Sequence, residues 1–136
     1  MKQKIVATLL LLMILIIGMA GCSSGNQSSD SENTYQKISS EEAKKMMDEE
    51  SNLIILDVRT AEEFETGHIQ GAVNISNTEI TATAEKAIPD KSATILVYCR
   101  SGNRSALASK ELSELGYSHI YDLGGLVDWK YEIITE

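Results

Sequence analysis

The segment from Cys99 to Arg104, CRSGNR, brings a thiol, two arginines and a glycine together within six residues. A hydrophobic run, ATILVY, precedes it and a helical pattern follows it, so the segment should be a loop at a helix start. Free amides and the helix dipole make such a position a site for an anion. Gly102 permits a tight curl that points N–H groups inward, and Arg100 and Arg104 add permanent positive charge.

The Cys99 thiol is the predicted nucleophile of this loop. Nearby cations and helix N-termini lower a cysteine pKa from about 8.5 to between about 3.5 and 7.5. The same groups would stabilise negative charge on an atom bonded to the sulfur. A cysteine after a strand is more often an inert core residue. Here the flanking arginines and the glycine favour the reactive interpretation.

The elements that hold the loop follow from hydrophobic periodicity and from capping signals. Ser39 with Glu42, and Thr60 with Glu63, each form a capping box at the start of a predicted helix. Strands are predicted at 53–58, 72–75, 93–98 and 119–123, and helices after 38, after 60, around 85–88, over 104–115 and around 127–131. This alternation predicts an α/β domain on a mostly parallel sheet with helices on both faces. Ligands bind beyond the carboxyl ends of such strands, where the Cys99 loop lies.

Three sequence blocks in a fixed order resemble the rhodanese family of sulfurtransferases. They are DVRTAEEFETGHIQGAVNI at 57–75, YCRSGNRS at 98–105, and LGG at 123–125 followed by Trp129. Together they cover nearly everything after residue 37. The resemblance implies one rhodanese-like domain, 37–136, with a central, mostly parallel five-stranded sheet.

The resemblance also implies a reaction. Cys99 would attack the outer sulfur of an anionic donor, thiosulfate or a persulfide, and become a persulfide that a thiol or cyanide then discharges. Such covalent, two-step catalysis predicts ping-pong kinetics. The remaining loop residues would bind the donor: Arg100, Ser101, Gly102, Asn103 and Arg104. No metal or organic cofactor is implied.

Asp57 and Arg59 match the family's D-x-R segment and are expected mainly to support neighbouring loops, with contact between Arg59 and substrate as the alternative. His68, between Gly67 and Ile69, is interpreted as a loop-packing residue rather than as a general base. A lowered thiol pKa needs no base. Three aromatic residues are assigned to packing and one acid to the surface or a turn, namely Tyr117, Tyr121, Trp129 and Asp122.

Two other functions stay open. A cysteine-based phosphatase or arsenate reductase would hold a tetrahedral oxyanion in a similar loop, but the phosphatase signature has five residues between Cys and Arg. Here four residues separate Cys99 from Arg104, and the shorter loop favours a small sulfur atom. The second alternative is a non-catalytic domain that binds partners or senses sulfur species through Cys99.

The first 21 residues have the layout of a signal peptide. Lys2 and Lys4 precede thirteen uncharged residues, Ile5 to Ile17, and small residues follow. This apolar run is shorter than the ~20 residues that a permanent membrane helix needs, so export with cleavage is favoured over a spanning anchor.

Cys22 ends the segment Met19-Ala20-Gly21-Cys22, which resembles a bacterial lipobox. Acylation of Cys22 after cleavage would anchor the protein to the outer face of the cytoplasmic membrane. Residues 22–36 are then a polar linker, since 23–34 read SSGNQSSDSENT without an aliphatic or aromatic residue.

The net charge argues against a nucleic-acid-binding protein, and the cysteine content excludes a disulfide scaffold. The chain carries 12 basic and 20 acidic side chains, and removing Lys2 and Lys4 leaves 10 against 20, a net charge of -10. Nucleic acid is therefore not an expected partner. With Cys22 acylated, Cys99 has no partner for a disulfide. A monomer is expected.

Overall fold

Five parallel strands form the central sheet of residues 35–135, the part of the chain described by a computed structural model. The order across the sheet is β1-β5-β4-β2-β3. The strands are β1 Gln36–Lys37, β2 Ile54–Asp57, β3 Val73–Asn74, β4 Thr94–Cys99 and β5 His119–Gly125. This confirms the predicted parallel sheet.

Strand β4 lies in the middle of the sheet and carries Cys99 as its last residue. It pairs with β2 from Ile54↔Ile95 onward and with β5 from Thr94↔His119 onward. The register with β5 shifts after Val97, so that Cys99 is opposite Gly125. The register therefore brings the cysteine and the second glycine of LGG to the same edge of the sheet.

Within residues 35–135, four α-helices connect the strands: α1 Ser40–Glu49, α2 Ala61–Glu65, α3 Ile80–Ala87 and α4 Asn103–Glu114. Both predicted capping boxes are present. The Ser39 hydroxyl accepts from the Glu42 amide at 3.2 Å, and the Glu42 carboxylate accepts from the Ser39 amide at 2.8 Å. Thr60 and Glu63 make the equivalent contacts at 3.3 and 3.1 Å, so both helices begin where their sequences predict.

The core lies on both faces of the sheet. Alternate β4 side chains enter different clusters, with Val97 and Cys99 on one face and Leu96 and Tyr98 on the other. Residues of α3 and α4 cover the first face, and residues of α1 cover the second. Sequence-predicted apolar runs such as LIILDV fit strands covered in this way.

Three expectations were wrong in detail. Helix α3 begins at Ile80 rather than near residue 85, because Ile80 and Ala84 share one buried face four residues apart. The predicted helix at 127–131 is a 3₁₀ turn, Leu126–Asp128, whose Val127 is 65% exposed and so has no core contact to extend a helix. For Asp122 only the surface alternative was wrong, because the residue is buried; the turn alternative is confirmed, since its carboxylate accepts from the Gly124 amide two residues ahead at 2.9 Å.

The predicted signal peptide, Cys22 and residues 22–34 of the linker lie outside the described residues. Within residues 35–135, none of the helices has the length and apolar character needed to cross a bilayer.

Candidate active site

Cys99 lies under a loop whose amides face its sulfur. Its side chain is fully buried, and the Gly102 amide donates to Sγ at 3.1 Å. Gly102 has φ +98° and stands at the N-terminal boundary of α4, directly before Asn103. That conformation is costly for any residue with a Cβ, so the glycine allows the loop to curl back over the sulfur. The predicted loop at a helix start is confirmed in its geometry.

The pKa of the Cys99 thiol is shifted by opposing effects. Burial is the largest and raises the pKa, because a charged sulfur is disfavoured away from water. The nearby backbone amides of Ser105, Gly102 and Ser101 lower it, and the Gly102 amide is the one that makes a hydrogen bond to the sulfur. The net result is a pKa below that of a free thiol. Aligned amides, more than fixed cations, favour the thiolate.

The end of strand β5 supports the Cys99 loop by close backbone contact. A Cβ on Gly125 would lie 2.3 Å from the Arg100 carbonyl oxygen and 2.6 Å from Ser101 Cα, so only glycine fits there. The Val127 amide donates to the same Arg100 carbonyl at 3.1 Å. Gly125 is extended, and it is the absence of a side chain rather than an unusual φ that allows this close backbone approach.

Ser105 is a buried residue of the site that the sequence did not single out. Its hydroxyl lies 3.0 Å from the Gly102 carbonyl and 3.2 Å from the Gly124 carbonyl. It therefore ties the first turn of α4 to the end of β5. Its position directly after Arg104 was the available signal, since serine in a first helical turn often bonds to nearby backbone.

Arg104 forms a two-pronged ion pair with Glu63 of α2. Its Nη1 and Nη2 atoms donate to the two carboxylate oxygens at 2.6 and 2.8 Å, and both side chains are 29% exposed. The Arg104 contact is the main reason that the pKa of Glu63 falls to about 2. Glu63 raises the pKa of Arg104 in turn, and negative charge on Cys99 adds to this increase. In the sequence, Glu63 is recognisable only as a helix cap.

The other loop residues face outward. Arg100, Ser101 and Asn103 are exposed. Arg100 lines a pocket of about 290 Å³ together with a set of residues from both sides of the loop, namely Arg59, Glu63, Thr66, Leu126 and Val127. This pocket, here named the entrance, lies beside the Cys99 loop through Arg100, and Cys99 itself is not among the residues that line it.

Asp57 and Arg59 form a buried ion pair at the end of β2. Arg59 Nε lies 3.0 Å from both carboxylate oxygens, and Nη2 lies 2.6 Å from Oδ2. Nη2 also donates to the Gly67 carbonyl at 2.7 Å, so the pair holds the loop before β3. Burial raises the pKa of the adjacent Tyr98 phenol, with a further contribution from Asp57. These contacts tie the end of β2 to the loop before β3, and the supporting role of the pair in sulfur transfer stays a prediction.

His68 is buried and packed locally. Its Nδ1 lies 2.9 Å from the Phe64 carbonyl oxygen, and its ring stacks on Phe64 at 3.7 Å. Its backbone pairs with Ile134 in both directions. These contacts agree with the packing interpretation. Tyr117 is likewise buried and donates to the Ile88 carbonyl at 2.6 Å.

No group of three potential metal-ligating side chains occurs in the described part of the chain. The site consists of a buried thiol, a loop whose Gly102 amide bonds to it, and an adjacent pocket that Arg59 and Arg100 line.

Comparison with known proteins gives this arrangement a family. Residues 39–132 match the model of the rhodanese-like domain. The thiosulfate sulfurtransferase PspE of Escherichia coli is 44% identical over 73 residues, which cover 54% of this chain and 70% of PspE. The thiosulfate sulfurtransferase GlpE of Coxiella burnetii is 35% identical over 97 residues, which cover 71% of this chain and 88% of GlpE.

Solved structures show the same fold. A structure described as rhodanese with anions from E. coli has a TM-score of 0.57 and 38% identity, covering 61% of this chain and 98% of that one. A rhodanese-related protein from Thermoplasma volcanium has a TM-score of 0.66 and 28% identity, covering 75% of this chain and all of that one. The chain thus belongs to the rhodanese-like family and is a sulfurtransferase of the rhodanese type.

Proposed function

We propose that the domain moves sulfane sulfur from an anionic donor to a thiol or to cyanide through a persulfide on Cys99. The observation that carries this proposal is the 3.1 Å contact between the Gly102 amide and the Cys99 sulfur. Amides aimed at a sulfur stabilise negative charge on it, both before and after a second sulfur is attached. Two relatives bear the name thiosulfate sulfurtransferase, which supports thiosulfate as a donor.

The reaction balances in two steps. The Cys99 thiolate attacks the outer sulfur of thiosulfate, a new S–S bond forms, and the bond to the inner sulfur breaks with its electron pair leaving on sulfite. The acceptor, as thiolate or cyanide, then attacks the outer sulfur of the persulfide. Thiocyanate or a new persulfide leaves, and the Cys99 thiolate is restored. No proton transfer to a separate base is needed in either step.

The exposed face of the loop is the proposed donor-binding surface. Arg100 lies at the entrance and supplies positive charge to an approaching anion, while Ser101 and Asn103 are exposed beside it. Gly102 contributes its amide. Arg104 contributes through its position at the start of α4, with its charge shared with Glu63. This division assigns attraction to Arg100 and loop geometry to Arg104.

A sulfur-transfer assay beside a phosphate-ester hydrolysis assay tests the proposal. Purified protein should convert thiosulfate and cyanide to thiocyanate and sulfite, and the Cys99→Ser variant should not. Hydrolysis of an aryl phosphate by the protein, lost in the same variant, would support the phosphatase alternative instead. Persulfide formation without turnover would support the sulfur-sensing alternative.

We also propose that the chain is exported and held at the outer face of the cytoplasmic membrane by acylation of Cys22. The supporting features are the charged start, the thirteen-residue apolar run and the Gly21-Cys22 junction. Metabolic labelling with a fatty acid should mark the wild-type chain and leave Cys22→Ser unlabelled. An unprocessed chain in the cytosol would contradict this proposal.

A further inference from the structure

The entrance is lined by Arg59, Arg100 and Glu63, and Asp57 and Arg104 are the ion-pair partners of two of these residues. Arg59 is paired with Asp57, and Arg104 is paired with Glu63. Arg100 has no ion-pair partner among residues 35–135. The entrance therefore carries an excess of one positive charge rather than three.

Glu63 is the acid that faces this entrance. It lines the pocket beside Arg100, whereas Asp57 is fully buried behind Arg59. The Glu63 carboxylate accepts hydrogen bonds from Nη1 and Nη2 of Arg104. Negative charge on Cys99 also raises the pKa of Arg104. An anion in this pocket thus meets the Glu63 carboxylate, and the positive charge of Arg104 is already balanced by that same carboxylate.

From this arrangement we infer that Glu63 is a specificity-determining residue that selects donors of low charge. By neutralising Arg104, it disfavours dianions such as thiosulfate and favours singly charged sulfane-sulfur anions, of which persulfides are the biological class. The inference rests on the proposed sulfur transfer and names its donor class. The Coulomb energy between Glu63 and a donor is proportional to the donor's charge, so a dianion is penalised twice as much as a monoanion.

The Glu63→Gln variant removes the charge with little change in shape. Glutamine at the third helical position also completes a capping box, so the contact with Thr60 is kept. The matched control is Glu65→Gln, an exposed acid of the same helix that lies outside the pocket.

The two donors to compare are thiosulfate, a dianion, and methanethiosulfonate, a monoanion that also carries an outer sulfur. We expect Glu63→Gln to raise kcat/KM for the monoanion about threefold and for thiosulfate about ninefold. Doubling the charge of the anion doubles the change in Coulomb energy, so the factor of about three becomes its square. Added salt should reduce both gains. Glu65→Gln should leave both values unchanged. A merely structural Glu63 would instead give equal losses with the two donors.

A binding measurement makes the test independent of turnover. In the Cys99→Ser background, calorimetry should show that Glu63→Gln lowers the dissociation constant of thiosulfate by a larger factor than that of methanethiosulfonate. Equal changes for the two anions, or weaker binding of both, would overturn the inference. If the wild-type protein forms no persulfide, the proposed function fails, while the ratio of the two dissociation constants still decides the role of Glu63.

Discussion

The Gly102 amide donates to the Cys99 sulfur at 3.1 Å, across a loop that begins at the end of a central strand and ends at the start of a helix. The donor is positioned by the backbone, so it needs no side-chain motion to meet a thiolate or a persulfide. Residues that hold the backbone in place should therefore matter as much as residues that carry charge.

Gly125 is the clearest such residue. Gly125→Ala should destabilise the fold by about 1–3 kcal/mol, because the new Cβ overlaps the Arg100 carbonyl, and should reduce sulfur transfer further by displacing the loop. Gly116→Ala is the control, since its φ of +92° costs about 1–2 kcal/mol at the far end of α4 without touching the loop. Equal activity of the two variants, compared at the same folded fraction, would contradict the role of Gly125 in positioning the loop.

Arg100 is the cation without an ion-pair partner among the described residues, so its removal should weaken donor capture. Arg100→Ala should raise KM for thiosulfate several-fold and flatten the dependence of kcat/KM on salt, because one screened attraction is lost. Lys110→Ala removes an exposed cation on the outer part of α4 and should change neither value. If Lys110→Ala changed KM and the salt dependence as much as Arg100→Ala, the change would come from the overall charge of the protein rather than from the position of Arg100.

The Asp57–Arg59 pair should dominate stability near the site. Arg59→Ala leaves the Asp57 carboxylate buried and unpaired and should lower the free energy of unfolding by about 3–5 kcal/mol. Lys45→Ala breaks an exposed pair with Glu49 and should cost less than about 1 kcal/mol. Urea unfolding measures both. A loss at Arg59 no greater than at Lys45 would mean that the buried pair contributes little.

Lowering the pH should break the ion pair between Glu63 of α2 and Arg104 of α4. The folded-state pKa of Glu63 is about 2, below its ordinary 4.5, so its contribution to stability is present above pH 4.5 and is lost as pH falls toward 2. Glu63→Gln should therefore be less stable than the wild type near neutral pH, and the difference should shrink in acid. A difference that stays constant down to about pH 2 would argue against an ion pair.

Most of the framework was predictable because its signals are local. The capping boxes at Ser39 and Thr60 define two helix starts, and the aliphatic run before Cys99 defines the central strand. The fold of the loop followed from Gly102 and its place between strand and helix. These features depend on neighbours within a few residues, which a sequence displays directly.

The partners of the charged residues were not predictable in the same way. Arg104 was interpreted as a donor-binding cation, yet Glu63, the residue that neutralises it, is 41 positions away in sequence. The close approach of Gly125 to Arg100 depends on a register shift between β4 and β5. The shift arises from packing of the whole sheet, so no short pattern reports it.

A persulfide on Cys99 is tested by the mass of the protein after incubation with thiosulfate and removal of the excess. We expect one added sulfur, mapped to Cys99 by peptide analysis, removed by cyanide and absent from Cys99→Ser. A chain of unchanged mass, or an added sulfur that persists in Cys99→Ser, would contradict it.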